Sequence, residues 1–178
     1  MLNYVLILSM LTFTACSEST PVKPHSYEAF RFMSECKTSF KKQYNLNPYS
    51  VGGCLSGNIQ ELDMSFTTPR SDKLYSIEEA RQLLVTLVEE IYMNVNNDEC
   101  IRPYLDSYPF ERNKLMIAIN FTDESGRFIK NQQLASVNLN GYNIFYSTYS
   151  HESGFKTIYK ETYEEALEIV RRQQESCL

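Results

Sequence analysis

The chain has 178 residues, a formal net charge of −5 and 22% charged residues, with 13 Tyr, 10 Phe and no Trp. That length is enough for one domain with a real hydrophobic core. The mild acidity excludes the basic patch that nucleic-acid binding requires, and it also excludes electrostatic docking on anionic lipid.

The first element is an apolar run. Leu2 to Ala15 carries no charged side chain, yet it is too short for a bilayer core, which takes about 20 residues. It has the proportions of the h-region of a secretory signal. The run closes Phe13-Thr14-Ala15-Cys16 and turns polar at Ser17-Glu18-Ser19-Thr20. Bulky Phe13 is unsuited to ordinary signal cleavage. Thr14-Ala15-Cys16 resembles the bacterial lipoprotein signal, the lipobox, with Phe13 where that motif usually has Leu. The resemblance implies a signal peptide over 1–15 and lipidation at Cys16. It implies a membrane partner held through that anchor, since the acyl chains exceed the two-signal minimum for stable attachment. Asp after the lipidated Cys usually marks the inner membrane, so Ser17 implies the outer one. Residues 16–26, with Pro21 and Pro24, then form the lipidated Cys and a flexible tether. Residues 27–178 form a single domain.

A helix is predicted over 27–44, where Tyr27, Phe30, Met33, Phe40 and Tyr44 recur at helical spacing beside Cys36. Asn45 to Asn58 carries Pro48, Gly52, Gly53 and Gly57 and reads as a loop. A strand over 59–67 follows, in which Leu62, Met64 and Phe66 alternate with Glu61, Asp63 and Ser65. Ser76-Ile77-Glu78-Glu79 is a capping box for a helix running to about residue 96. Residues 101–113, with Pro103, Tyr104, Tyr108, Pro109 and Phe110, read as a packed aromatic loop. The segment 114–121 is apolar on both faces, as a central strand is. Strands over 133–139 and 142–149 flank Asn140-Gly141, the strongest short hairpin signal. A short strand over 155–159 and a helix capped by Thr162 and Glu165 complete the chain.

These elements give an α+β fold, an antiparallel sheet of four to five strands with helices packed on one face. A two-residue turn at Asn140-Gly141 sets Val137 opposite Ile144 and Ala135 opposite Tyr146. The opposite face then carries Ser136, Asn138, Asn143, Phe145, Ser147 and Tyr149.

Four cysteines follow Cys16: Cys36, Cys54, Cys100 and Cys177. An even set in an exported protein predicts two disulfides, each contributing about 3 kcal/mol. Three pairings are open, and nearness in sequence favours Cys36–Cys54, which leaves Cys100–Cys177. Zinc needs close Cys and His spacing that the sequence lacks, so neither a metal nor another cofactor is expected. His25 lies in the tether and His151 in a turn, and neither makes a Cys–His pair in sequence. Ser34-Glu35-Cys36-Lys37 matches Ser-x-x-Lys without companion motifs. Glu78/Glu79 and Glu164/Glu165 serve helix starts. Asp98-Glu99 and Asp123-Glu124 lack the alternating ligands of a calcium loop. No catalytic residue is assigned.

The stretch Tyr142 to Tyr149 alone has binding character, since aromatics beside amides and hydroxyls suit peptide or glycan contact. The expectation is a lipid-anchored envelope protein whose non-enzymatic domain binds an envelope protein or glycan through Asn138, Asn143, Phe145 and Tyr149. Two other classes fit the same composition. One is an envelope or cell-wall hydrolase with acidic residues in an aromatic pocket; the other is a purely structural envelope lipoprotein.

Overall fold

The computed structural model describes residues 24–69, 75–128 and 134–175. The N-terminal run with Cys16, most of the tether, and Cys177 lie outside the described residues.

Helix α1 (His25–Tyr44) starts just ahead of the predicted position and ends at Asn45. Asn45 turns left-handed at φ 54°, and its N–H bonds the Phe40 carbonyl. The buried stripe is Ala29, Phe32, Met33, Cys36 and Phe40, a run of helical repeats on one side. Tyr27 and Phe30 were expected on that side, but they are rotated off it and stand 51% and 47% exposed.

Strand β1 (Asn47–Gly52) occupies a segment read as loop. Pro48 and the following glycines disguise it, yet Pro is tolerated because β1 is an edge strand. Strand β2 (Leu62–Pro69) pairs antiparallel with β1 and parallel with β3 (Leu115–Thr122). Helix α2 (Ile77–Asn97) makes that parallel pairing possible by crossing over between them. Strands β4 (Leu134–Asn140), β5 (Asn143–Ser150) and β6 (Gly154–Thr162) then add in antiparallel order, and α3 (Tyr163–Glu175) closes the chain.

The fold is therefore α+β, but the sheet has six strands and is mixed, in the order β1 to β6. This corrects the expected four to five antiparallel strands. Alternation fixes which residues share a face but is silent on the direction of the neighbour.

Both predicted helix starts form as capping boxes. Ser76 and Glu79 exchange side-chain and backbone bonds at 3.1 and 3.2 Å. Thr162 and Glu165 do the same at 2.8 and 3.3 Å. The hairpin turn is Gly141-Tyr142 rather than Asn140-Gly141, with Asn140 opposite Asn143. Gly141 sits at φ 59°, as the first central residue of a type II′ turn does. Val137 consequently faces Tyr146 and Leu139 faces Ile144. That shift is even, so Ser136, Asn138, Asn143, Phe145 and Ser147 keep the face expected for them, up to a bulge between Leu134 and Ser136 that leaves Ala135 without the expected pairing to Tyr146.

One face of the sheet shares a core with all three helices. It presents Leu62, Met64 and Phe66, then Leu115, Ile117, Ile119 and Phe121, then Val137, Leu139, Ile144 and Tyr146. No helix covers the other face among the described residues.

Candidate functional site

Strand register lays the open face out in rows. One row runs Ser65, Ala118, Asn138, Phe145, Lys160 from β2 to β6. The next runs Thr67, Asn120, Ser136, Ser147, Thr157. Neighbours along a row lie within side-chain contact, and Lys160 Nζ sits 5.2 Å from the Phe145 ring centroid.

All four residues nominated from the sequence stand on this face. Asn138 pairs with Phe145, Asn143 with Thr162, and Tyr149 with Phe155. Each is half-buried. The Asn138 and Asn143 amides make no hydrogen bond to the protein among the described residues, so their donors and acceptors remain available to a ligand.

The sequence reading missed what surrounds Tyr149. Its ring lies 4.9 Å from Phe128 and 5.2 Å from Phe155, and Phe128 meets Phe155 edge-on at 4.9 Å. Phe128 is drawn in by a bridge to Thr122 at the end of β3. Just beyond, β6 bulges: Tyr146 pairs with Tyr159 and Ser147 with Thr157, leaving Ile158 as the extra residue. Phe155 and Ile158 are 51% and 49% exposed. The apolar residues of β6 were the available signal, but only pairing to β5 shows that Phe155 joins Tyr149.

The titratable groups divide by depth. Burial raises the Asp63 carboxyl, on the open face of β2, above the ordinary range. On the core side, Arg81 Nε donates to Glu161 Oε1 at 2.8 Å, and the Tyr146 hydroxyl donates to the same oxygen at 2.5 Å. Burial first, and then the bond to Glu161, pushes the Tyr146 phenol upward. Glu161 Oε2 has no hydrogen-bond partner among the described residues. Arg81 and Glu161 have 7% and 3% of their side-chain surface exposed, so this cluster sits in the packing rather than at a surface.

Among the described residues Cys36, Cys54 and Cys100 form no disulfide with one another, with Cys36 buried and the other two exposed, and Cys177, the expected partner of Cys100, lies outside those residues. Burial, reinforced by Glu90, Glu35 and Asp98, pushes the Cys36 thiol up to about 12. The Cys54 Sγ donates to Gln60 Oε1 at 3.2 Å. His25 Nε2 meets the Leu55 carbonyl, and His151 lies exposed against Tyr149, with ring centroids 5.6 Å apart. Among the described residues no group of three or more His, Cys, Asp or Glu side chains is placed to hold a metal ion. No described helix is long and apolar enough to cross a membrane.

Comparison with family models, with curated proteins and with solved structures finds no match for the chain.

Proposed function

We propose that the chain is a lipid-anchored protein of the bacterial envelope, held at the outer membrane by acyl chains on Cys16. Its domain binds another envelope protein through the open sheet face and catalyses no reaction. The anchor rests on Thr14-Ala15-Cys16 and the polar, proline-containing segment behind it. The binding reading is carried by one observation: the helices share a single face, while the other gathers unpartnered amides beside a protruding aromatic cluster. Aromatic anchors ringed by polar groups are the composition of the centre of a protein interface. Lys160, paired with Phe145, sets a cation beside the aromatic residues of that face, an arrangement that favours an acidic partner segment.

Photo-crosslinking in intact envelopes tests the face. The wild type should capture a defined partner, and the variant carrying N138A, N143A, F145A and Y149A should lose it. A variant that keeps every wild-type contact overturns the assignment. The intact mass of the same protein tests the anchor. Unmodified Cys16 with residues 1–15 retained overturns it.

A further inference from the structure

A concavity of about 430 Å³ lies at the opposite end of β5 from Tyr149, within the range of roughly 300–1,000 Å³ typical of small-molecule sites. Its wall comes from four places: Tyr92 on α2, the segment from Pro109 to Asn113, the Gly141-Tyr142 turn, and the start of α3.

The cleft is rigidly built. Asn96 clamps Phe110 from both sides, accepting from its N–H at 2.7 Å and donating to its carbonyl at 3.2 Å. Arg112 lies 3.7 Å over the Tyr92 ring centroid and grips Glu89 with two bonds, at 2.5 and 3.0 Å. The Tyr163 hydroxyl donates to the same carboxylate at 2.7 Å. Tyr142 is the notable member. It is 67% exposed, yet its hydroxyl accepts from Asn113 Nδ2 at 2.7 Å and its carbonyl accepts from the Tyr163 N–H at 2.9 Å. A ring held at both ends while it projects into solvent has already lost the freedom that binding would otherwise cost.

Charge and bonding capacity narrow the occupant. Glu89 already neutralises Arg112, and Glu111 and Glu164 line the cleft with no ion-pair partner among the described residues. Two free carboxylates repel phosphate or a carboxylate ligand. One seat for a cationic ligand, the Tyr92 face, is already taken by Arg112. What remains is a mixed set: Arg112 Nη1 as donor, and Asn113 Oδ1 and the two carboxylates as acceptors, beside the exposed rings of Tyr142 and Pro109. A neutral pyranose has that complement, with hydroxyls that both donate and accept at its edge and an apolar C–H face.

We propose that this cleft is a saccharide-binding site, in which a neutral pyranose stacks on Tyr142 and hydrogen-bonds Arg112, Asn113, Glu111 and Glu164. The site is separate from the open sheet face and does not depend on the protein-binding reading of it.

Calorimetric titration of the full chain with chito-, cello-, malto- and mannotetraose tests the proposal, with inorganic phosphate and choline as charged controls. At least one tetraose should saturate a single site, and neither control should bind. Tyr142→Ala should weaken that binding at least tenfold, and Tyr142→Phe should keep most of it. Tyr49→Ala, 73% exposed on β1, should leave it unchanged. Glu111→Ala, at an exposed position, should weaken it severalfold and keeps the test decisive should the first variant misfold. Binding of phosphate or choline in place of sugar overturns the proposal. So does the absence of saturation by every tetraose, or an affinity that both Tyr142→Ala and Glu111→Ala leave intact. A variant altered at Asn138, Phe145 and Tyr149 alone, leaving Asn143 beside the cleft intact, should bind sugar as the wild type does, which separates this site's failure from that of the sheet face.

Discussion

Arg81 and Glu161 meet at 2.8 Å across the core face, joining α2 to β6, with the Tyr146 hydroxyl completing the contact at 2.5 Å. Each buried ion carries a desolvation cost of several kcal/mol that only its partner offsets. Arg81→Met alone leaves a buried carboxylate with one hydroxyl, and should destabilise the fold by about 3–5 kcal/mol. Arg81→Met combined with Glu161→Met removes both charges and should lie close to the wild type. Urea denaturation of the two variants checks this. Equal losses would show that the partners are not coupled.

Acid should weaken the fold in a defined window. Burial pushes the Glu89 carboxyl up, but the bonds from Arg112 and Tyr163 outweigh it and hold the group below the usual range. Asp98 is held low in the same sense, with Arg31 and the N–H groups of Ile101 and Cys100 overcoming its burial. A carboxyl depressed on folding contributes stability above its unfolded value, and that contribution disappears as pH falls through the depressed one. Glu89→Gln should therefore be less stable than the wild type at neutral pH, with the gap closing as pH falls through and below the ordinary carboxylate range. Unfolding free energies measured across that range decide it; a gap that stays constant would remove Glu89 from the account.

The three described thiols should differ in reactivity. Cys36 is 4% exposed and its thiol is pushed up to about 12, whereas Cys54 and Cys100 are exposed. Only the thiolate is nucleophilic. After reduction, iodoacetamide at neutral pH should label Cys54 and Cys100 in the folded protein and reach Cys36 only on unfolding. Peptide mass mapping reads the outcome, and early labelling of Cys36 would contradict its burial.

Gly53 should be the least replaceable glycine before β2. Its φ is 148°, and a Cβ there would lie 2.1 Å from the Glu61 carbonyl oxygen. Gly57, at φ 81°, has open space where its Cβ would go. Both replacements strain the backbone by about 1–3 kcal/mol, but Gly53→Ala must also displace main chain. Thermal denaturation should show a clearly larger loss for Gly53→Ala than for Gly57→Ala.

Local signals carried furthest in the sequence. Ser76 with Glu79, and Thr162 with Glu165, placed two helix starts because capping depends only on residues three apart. Asn138, Asn143, Phe145 and Tyr149 were legible as one surface because strand parity survives an even register shift. Strand β1 was not legible, since Pro48 is acceptable only at an edge and nothing local reveals an edge. The parallel pairing of β2 with β3 escaped for a related reason: direction is set by the α2 crossover. The aromatic cleft draws Tyr92, Arg112, Tyr142 and Tyr163 from four separate segments, and no spacing in the chain announces their meeting.

Strand β5 is also a ruler. Tyr142 stands just before its first residue and Tyr149 just before its last, seven steps at about 3.3 Å each, or roughly 23 Å. Hydrogen bonds to β4 on one side and β6 on the other fix that span. A sugar chain at one end and a protein at the other would thus be held at a set distance without competing. On those terms the domain is a coupler, whose rigid middle strand decides how closely its two ligands can approach.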